Sequence, residues 1–171
     1  LEPLVPPDKN PPPVVTNNTL VANSGSGIYS GNNFPTVRNN LVAFNTWGIE
    51  QDAASRATFA CNNVCGNQVQ GRPWDYKGGT DQTGLNGNLS ADPHLADYTI
   101  GEFHLQPGSV CIDAGDSSAV GLGWTDTDGQ ARILGTDVDI GADEADGTFW
   151  EVGAARICVR PDGDDAAAGL D

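Results

Sequence analysis

The chain has 171 residues and is strongly acidic, with 23 Asp and Glu residues against 8 Lys and Arg and a formal net charge of -15. Such a chain repels phosphate backbones and anionic lipid headgroups, so nucleic acids and membrane surfaces are poor candidate partners. Frequent glycine (22) and proline (11) exclude a helical bundle and predict one turn-rich β domain. Methionine is absent, so we expect a processed chain or a piece of a longer one.

The first predicted segment, residues 1–12, is rich in proline. Proline lacks a backbone N–H and cannot donate a hydrogen bond to a β-ladder. We therefore predict that this segment is extended and lies outside any sheet.

The second predicted segment, residues 13–78, contains a gap-free 22-residue repeat. The repeat gives two apolar and two asparagine columns: Val15, Val37 and Phe59; Leu20, Val42 and Val64; Asn18, Asn40 and Asn62; Asn23, Asn45 and Asn67. The segments at 27–29 and 48–50 predict one more strand per repeat. Because one repeat cannot bury its own apolar face, the pattern predicts a coil of about three stacked rungs, a β-solenoid, with the apolar columns inside.

The two asparagine columns are interpreted as structural ladders at the corners of the coil. Asparagine tolerates the left-handed backbone that a tight corner requires, and its amide can bond to the equivalent asparagine one rung away. The alternative is that these side chains bind sugar on an exposed face.

Four cysteines, Cys61, Cys65, Cys111 and Cys158, are disulfide candidates. An even number of cysteines in an acidic chain without methionine favours a secreted protein. The sequence does not choose among the pairings, and buried unpaired thiols are the alternative.

The third predicted segment, residues 79–146, differs from the repeat in charge. Residues 1–70 carry a net charge of -1 and residues 71–171 carry -14. Short apolar segments separated by turn signals predict further irregular β-structure, placed as a cap on the end of the coil.

Calcium is the one cofactor that the acidic residues suggest. Asp126, Asp128, Asp137 and Asp139 supply hard oxygen ligands within a short span. The span lacks the first acidic ligand and the closing glutamate of a full calcium loop. Aspartates that bond their own backbone in a turn are the alternative.

Several motifs of this segment resemble a known family. They are Asn-Gly-Asn-Leu-Ser-Ala-Asp-Pro at 86–93, Phe-His-Leu-Gln-Pro-Gly-Ser at 103–109, Cys-Ile-Asp-Ala-Gly at 111–115, Asp-Thr-Asp-Gly at 126–129 with Arg132, and Val-Asp-Ile-Gly-Ala-Asp-Glu at 138–144. In order and spacing, residues 13–146 are similar to the C-terminal part of bacterial right-handed parallel β-helix proteins, the choice-of-anchor Q domain. The resemblance implies an all-β, right-handed parallel β-helix with an irregular C-terminal cap, secreted or displayed on a bacterial surface. Val110 and Cys65 depart from the family pattern, which has proline and an aromatic residue there.

The fourth predicted segment is the tail, residues 147–171. Its residues 155–165 resemble the opening strand of a fresh β-helix followed by a Pro-Asp-Gly turn. A coil without an evident N-terminal cap and with such a tail predicts head-to-tail stacking of subunits. The alternative is that the tail is the edge of a further domain.

Catalytic candidates in the rungs are few. A uronate lyase needs a base and a cation, for which the rungs offer Arg38 and Arg56 near Glu50 and Asp52. We interpret His94 and His104 as packed or surface residues, and the tryptophans as core or cap residues.

Two hypotheses follow from the sequence. The favoured one is a noncatalytic extracellular structural or adhesive module whose partner is itself, in a head-to-tail polymer, or a cell-surface carbohydrate. The other is the C-terminal portion of a secreted polysaccharide lyase or glycoside hydrolase.

Overall fold

The structure is a computed structural model that describes residues 11–151. Within that range the fold is all-β, with two short 3₁₀ turns at Tyr98–Ile100 and Ser117–Ala119. The strands are β1 (Val14–Thr16), β2 (Thr19–Val21), β3 (Ser26–Ser30), β4 (Thr36–Arg38), β5 (Leu41–Ala43), β6 (Trp47–Gln51), β7 (Thr58–Ala60), β8 (Asn63–Cys65), β9 (Gln68–Val69), β10 (Arg72–Pro73), β11 (Tyr76–Lys77), β12 (Leu95–Asp97) and β13 (Glu102–Leu105). No helix in this range is long and apolar enough to cross a membrane.

Three parallel sheets contain most of the strands of residues 13–78. Their strand orders are β1-β4-β7, β2-β5-β8 and β3-β6-β11, and we name them the first, second and third sheet. In the first sheet Val15 pairs with Val37, and Val37 pairs with Phe59. The second sheet pairs Leu20, Val42 and Val64 in the same way. The 22-residue spacing in the sequence is therefore the register of these two sheets.

The third sheet contains the additional strand expected in each repeat. Ile28 of β3 pairs with Ile49 of β6, which pairs in turn with Tyr76 of β11. The short antiparallel pair β9–β10 is inserted before β11. Its two-residue connection, Gln70 and Gly71, has positive φ at both positions, as a tight hairpin turn requires.

The main core lies between the three sheets. It consists of six buried side chains: Ile28, Val37, Val42, Ile49, Phe59 and Val64. Because residues alternate between the two faces of a strand, alignment of the middle residue of each short strand brings these side chains together. Burial of each aliphatic side chain stabilises the fold by roughly 1.5–3 kcal/mol.

Stacked asparagines connect the strands at both corners of the second sheet. The Asn40 Nδ2 donates to Asn62 Oδ1 at 3.0 Å, and the Asn40 backbone N–H donates to the same oxygen at 3.0 Å. At the other corner, Asn45 makes the same pair of bonds to Asn67 Oδ1, each 2.9 Å long. Asn40, Asn62 and Asn67 are fully buried, so these bonds satisfy amides that water does not reach.

The sequence predicts a left-handed backbone at the ladder asparagines. In the structure, the residue before each ladder asparagine has the left-handed backbone instead. Positive φ occurs at Asn17, Asn39 and Cys61 in one column and at Ala22, Phe44 and Gly66 in the other. The left-handed residue bends the chain. The next backbone N–H then points along the stack, towards the asparagine oxygen in the following repeat.

The acidic segment packs against the outward face of the second sheet and also against one end of the stack. Leu41, Ala43 and Cys65 point outward from the second sheet. They are buried by the side chains of Leu105, Cys111 and Ile140. Residues 86–91 cover the strand edge next to β7 and β8. The carbonyls of Asn86 and Leu89 accept backbone hydrogen bonds from Cys61 and Val64.

Replacing a buried ladder asparagine tests how far the ladders stabilise the fold. Asn62→Leu removes the side-chain donor to the Val37 and Ala60 carbonyls and the acceptor of the Asn40 backbone N–H. Each unsatisfied buried group costs about 1–3 kcal/mol, so we expect the free energy of unfolding in urea to fall by at least about 3 kcal/mol.

Asn18→Leu is the matched control, because Asn18 is exposed at the start of the same column. We expect it to cost about 1 kcal/mol or less, since water can replace its lost bonds. Equal losses in the two variants would contradict a stabilising role for the buried ladder.

Candidate functional site

One edge of all three parallel sheets lies on the same side of the molecule. We name it the first edge; it consists of β1, β2 and β3, each of which pairs on one side only within residues 11–151. The Thr36 N–H donates to the Pro13 carbonyl at 2.9 Å. Since parallel strands bond through alternate residues, Val14, the register partner of Thr36, directs its N–H away from β4. Among the described residues, the first edge therefore presents backbone groups without a strand partner, which are a template for a further strand.

The ladders have a direction that gives the first edge a defined chemistry. Each asparagine donates its Nδ2 to the asparagine one repeat later, as Asn18 does to Asn40 and Asn23 does to Asn45. Among residues 11–151, no group donates to Oδ1 of Asn18 or Asn23. The first edge thus offers two carboxamide oxygens as hydrogen-bond acceptors.

The opposite ends of the ladders are closed. One column continues to Asn88, which accepts from Asn62 at 2.9 Å and donates its own Nδ2 to the Leu85 carbonyl at 2.7 Å. The other column stops at Asp75, whose Oδ1 accepts from Asn67 Nδ2 at 2.8 Å. A carboxylate has no N–H to pass on, so the column ends there. The repeat did not reveal Asp75 and Asn88 because both lie out of its register.

The four candidate calcium ligands do not form one cluster. Asp126 Oδ1 accepts the backbone N–H groups of Asp128 and Gln130, and Asp139 accepts those of Asp113 and Ala145. Asp137 accepts from the hydroxyl of Ser117, and Asp128 lies against His104. Three of the four therefore bond to separate local groups, which agrees with the turn interpretation at Asp126.

A buried ion pair lies within the acidic segment. Arg132 Nη1 is 2.7 Å from Glu144 Oε1, and the two side chains are 3% and 1% exposed. Arg132 also donates to the Gly141 carbonyl. Burial, together with the neighbouring carboxylate of Asp139, raises the pKa of Glu144 to about 7 in spite of the guanidinium. Arg132 and Glu144 both stand in the motifs that carry the family resemblance. Their ion pair could not be predicted, because the order of the motifs does not show which residues are in contact.

A second group of titratable side chains combines residues from three segments. His104, Asp128 and Asp143 each place one potential ligand atom within 4.8 Å of the others. His104 Nε2 lies 3.1 Å from Asp128 Oδ2, and the ring stacks on Trp150 at 3.7 Å between centroids. These three residues border a pocket of about 270 Å³.

The Asp143 carboxylate is the buried member of this group. Its Oδ2 accepts the backbone N–H of Leu105 at 2.8 Å, and the residue is 6% exposed. Burial raises the pKa of Asp143, and the nearby carboxylates Asp126 and Asp128 act in the same direction.

The three described cysteines are unpaired thiols. Cys65 and Cys111 are buried, and Cys61 is half-buried. Burial raises the pKa of Cys65 to about 12 and that of Cys111 to about 11, so both remain protonated at neutral pH. Cys158 lies outside the described residues.

The carboxylates considered for catalysis are engaged in local structure. Glu50 forms an ion pair with Lys77 at 2.7 Å and accepts from the Ser26 hydroxyl. Asp52 accepts backbone N–H groups from Asn32, Ala54 and Ser55. These bonds hold the pKa of both carboxyl groups below their usual values.

The remaining catalytic candidates lie in separate environments. Arg38 pairs with Asp116 at 3.2 Å. Arg56 donates to the nearby carbonyls of Ala53 and Ser55. His94 is exposed at a residue with positive φ.

Searches of family models, of curated proteins and of solved structures find no match to this chain. The choice-of-anchor Q resemblance therefore rests on the motifs alone.

The buried carboxyl groups predict how stability depends on pH. The pKa of Glu144 is about 7 in the folded chain and 4.5 in its ordinary state, so between these values the folded chain binds more protons. Folding stability must then rise as the pH falls from about 7 towards 4.5. We expect a higher melting temperature at pH 5 than at pH 8.

Glu144→Gln isolates this effect, because glutamine keeps an acceptor for Arg132 and has no proton to gain. The difference in melting temperature between pH 5 and pH 8 is expected to shrink in this variant. Glu151→Gln, at an exposed glutamate, is the control and should retain the difference. The same pH response in all three proteins would show that Glu144 is not its source.

Proposed function

We propose that this chain is a noncatalytic structural or adhesive β-solenoid module of a bacterial extracellular or cell-surface protein. In this proposal residues 13–78 form about three rungs of a right-handed parallel β-helix, and residues 79–146 correspond to a choice-of-anchor Q-like region. The common 22-residue register of the first and second sheets and the buried amide ladders support it. Stacking of strands is then the means by which the module makes contact with its surroundings.

The first edge is the single observation on which the proposal mainly depends. Within residues 11–151, three strand edges on one side have no strand partner, and two asparagine oxygens at the same edge are available to accept hydrogen bonds. An added rung would pair with three short strands at once and would satisfy both oxygens. A single added strand could pair with only one of the three edge strands and would therefore form fewer hydrogen bonds.

The occupant of the first edge in our proposal is the tail of a neighbouring copy, within residues 147–171. Direct contact with the closing rung of another copy is unfavourable, because Asp75 and Asn88 already use the ladder bonds at that end. Residues 152–171 lie outside the described part of the chain, but their sequence at 155–159 resembles a β-strand. Repetition of this contact gives an open, head-to-tail filament.

Self-association of the complete chain tests the proposal. We expect light scattering to show a mass that rises with protein concentration, and electron microscopy to show end-to-end polymers. A strictly monomeric chain at all concentrations would contradict the filament.

A proline at the first edge tests the site of contact. Val14 begins β1, is 63% exposed and directs its N–H away from β4, so Val14→Pro removes an edge donor without breaking a ladder bond. We expect weaker association in this variant. Val110→Pro, the same change at an exposed valine in the acidic segment, is the control and should leave association unchanged.

Enzymatic turnover is the competing outcome. Incubation with a panel of uronate polysaccharides, monitored for unsaturated products, tests a lyase, and a reducing-sugar assay on the same panel tests a hydrolase. Product formation by this chain alone would replace the structural proposal.

A further inference from the structure

We propose that His104, Asp128 and Asp143 bind a divalent transition-metal ion of the Zn²⁺ type, with solvent completing the coordination. This site is distinct from the calcium set expected from the sequence, with which it shares only Asp128. None of the three ligands belongs to the first edge, although Thr19 of β2 borders the adjoining pocket, so the proposal does not require the chain to form filaments.

The donor atoms are close enough to meet at one ion. One potential ligand atom from each residue lies within 4.8 Å of the other two. In a tetrahedral zinc site with bonds of about 2.0–2.1 Å, neighbouring ligand atoms are about 3.3 Å apart. Small side-chain rotations therefore suffice to bring the three atoms into coordination distance.

The surrounding structure fixes two of the three ligands in place. The His104 ring stacks on Trp150 with an interplanar angle of 9°. The Asp143 carboxylate is oriented by the Leu105 N–H at 2.8 Å, which leaves its other oxygen available. Preorganised ligands lose little conformational entropy on binding, which favours affinity.

The histidine is oriented so that Nε2 can act as the ligand. Nε2 is the ring nitrogen next to Asp128, at 3.1 Å, while Nδ1 lies 3.3 Å from Glu102 Oε2. The latter contact falls outside hydrogen-bond geometry, and a small rotation of either side chain would close it. A proton on Nδ1 facing a carboxylate leaves Nε2 free for metal, as in many zinc sites where a carboxylate orients the ligating histidine.

Charge and space favour a cation here. Two carboxylates with one imidazole ligand balance the charge of a divalent ion, and the carboxylates of Asp128 and Glu102 both lie against His104. The adjoining pocket, lined by Thr19, Phe103 and Thr127, leaves room for water ligands. An imidazole among few oxygens selects zinc-like ions over calcium, which prefers 6–8 oxygen ligands.

Isothermal titration of the metal-free complete chain with Zn²⁺ tests the site. We expect a saturable event that raises the melting temperature, because the ion binds the folded chain in preference to the unfolded one. His104→Gln should weaken this binding by about 100-fold or more, since loss of an outer-sphere partner alone costs roughly 10–100-fold. Asp143→Asn should weaken it as well.

His94→Gln is the matched control, because His94 is the other histidine and is exposed. It should bind Zn²⁺ as the unmodified chain does. Metal-free melting curves of each variant establish that it is folded. Absence of binding, binding unchanged in His104→Gln, or equal losses in His104→Gln and His94→Gln would overturn the proposal, as would binding of Ca²⁺ in preference to Zn²⁺.

Discussion

The hydrogen bond between stacked asparagine amides is the interaction on which the arrangement of residues 13–78 depends. A buried amide must be satisfied, and Asn62 meets this demand with donations to Val37, Ala60 and Asn88 and with acceptance from Asn40. A shift of the strand register by one residue would leave these groups unpaired in the interior, at a cost of about 1–3 kcal/mol each. The ladders therefore enforce the same register that aligns the apolar columns, and core packing and polar pairing stabilise one arrangement.

The same ladders make the two ends of the stack different. A carboxamide both accepts and donates hydrogen bonds. All donations in the asparagine column therefore run the same way, from Asn18 towards Asn88. It can end in an acceptor-only group such as Asp75, or in an amide that bonds back to its own turn, as Asn88 does. At the first edge, no described residue closes either column in one of these ways. The Oδ1 atoms of Asn18 and Asn23 therefore remain as acceptors. A directional association follows from this asymmetry without any special surface shape.

The sequence predicted the parts of this fold that arise from regular repetition. The columns of Val15, Leu20 and their equivalents coincide with the pairing observed, because parallel stacking converts a fixed spacing into contact. It failed where neighbours come from distant segments. The sequence pattern places the left-handed bend at Asn40, whereas the structure has it at Asn39. Both residues are asparagines, and only the sign of φ tells them apart. The pairing of His104 with Asp128 was not expected because it joins residues that no local pattern connects.

The excess negative charge of residues 71–171 belongs partly to the interior. Loops with few ladder partners leave many backbone N–H groups to be satisfied, and a carboxylate accepts several of them at once. Asp139 bonds to the N–H groups of Asp113 and Ala145, and Asp143 bonds to that of Leu105. Asparagine suits the repeat because each level must both accept and donate, whereas aspartate suits the irregular segment because its loops present mainly donors. The change from amide to carboxylate along the chain therefore follows the change from repeated strands to loops, and the buried charge that results has Arg132 as its buried basic partner within the described residues.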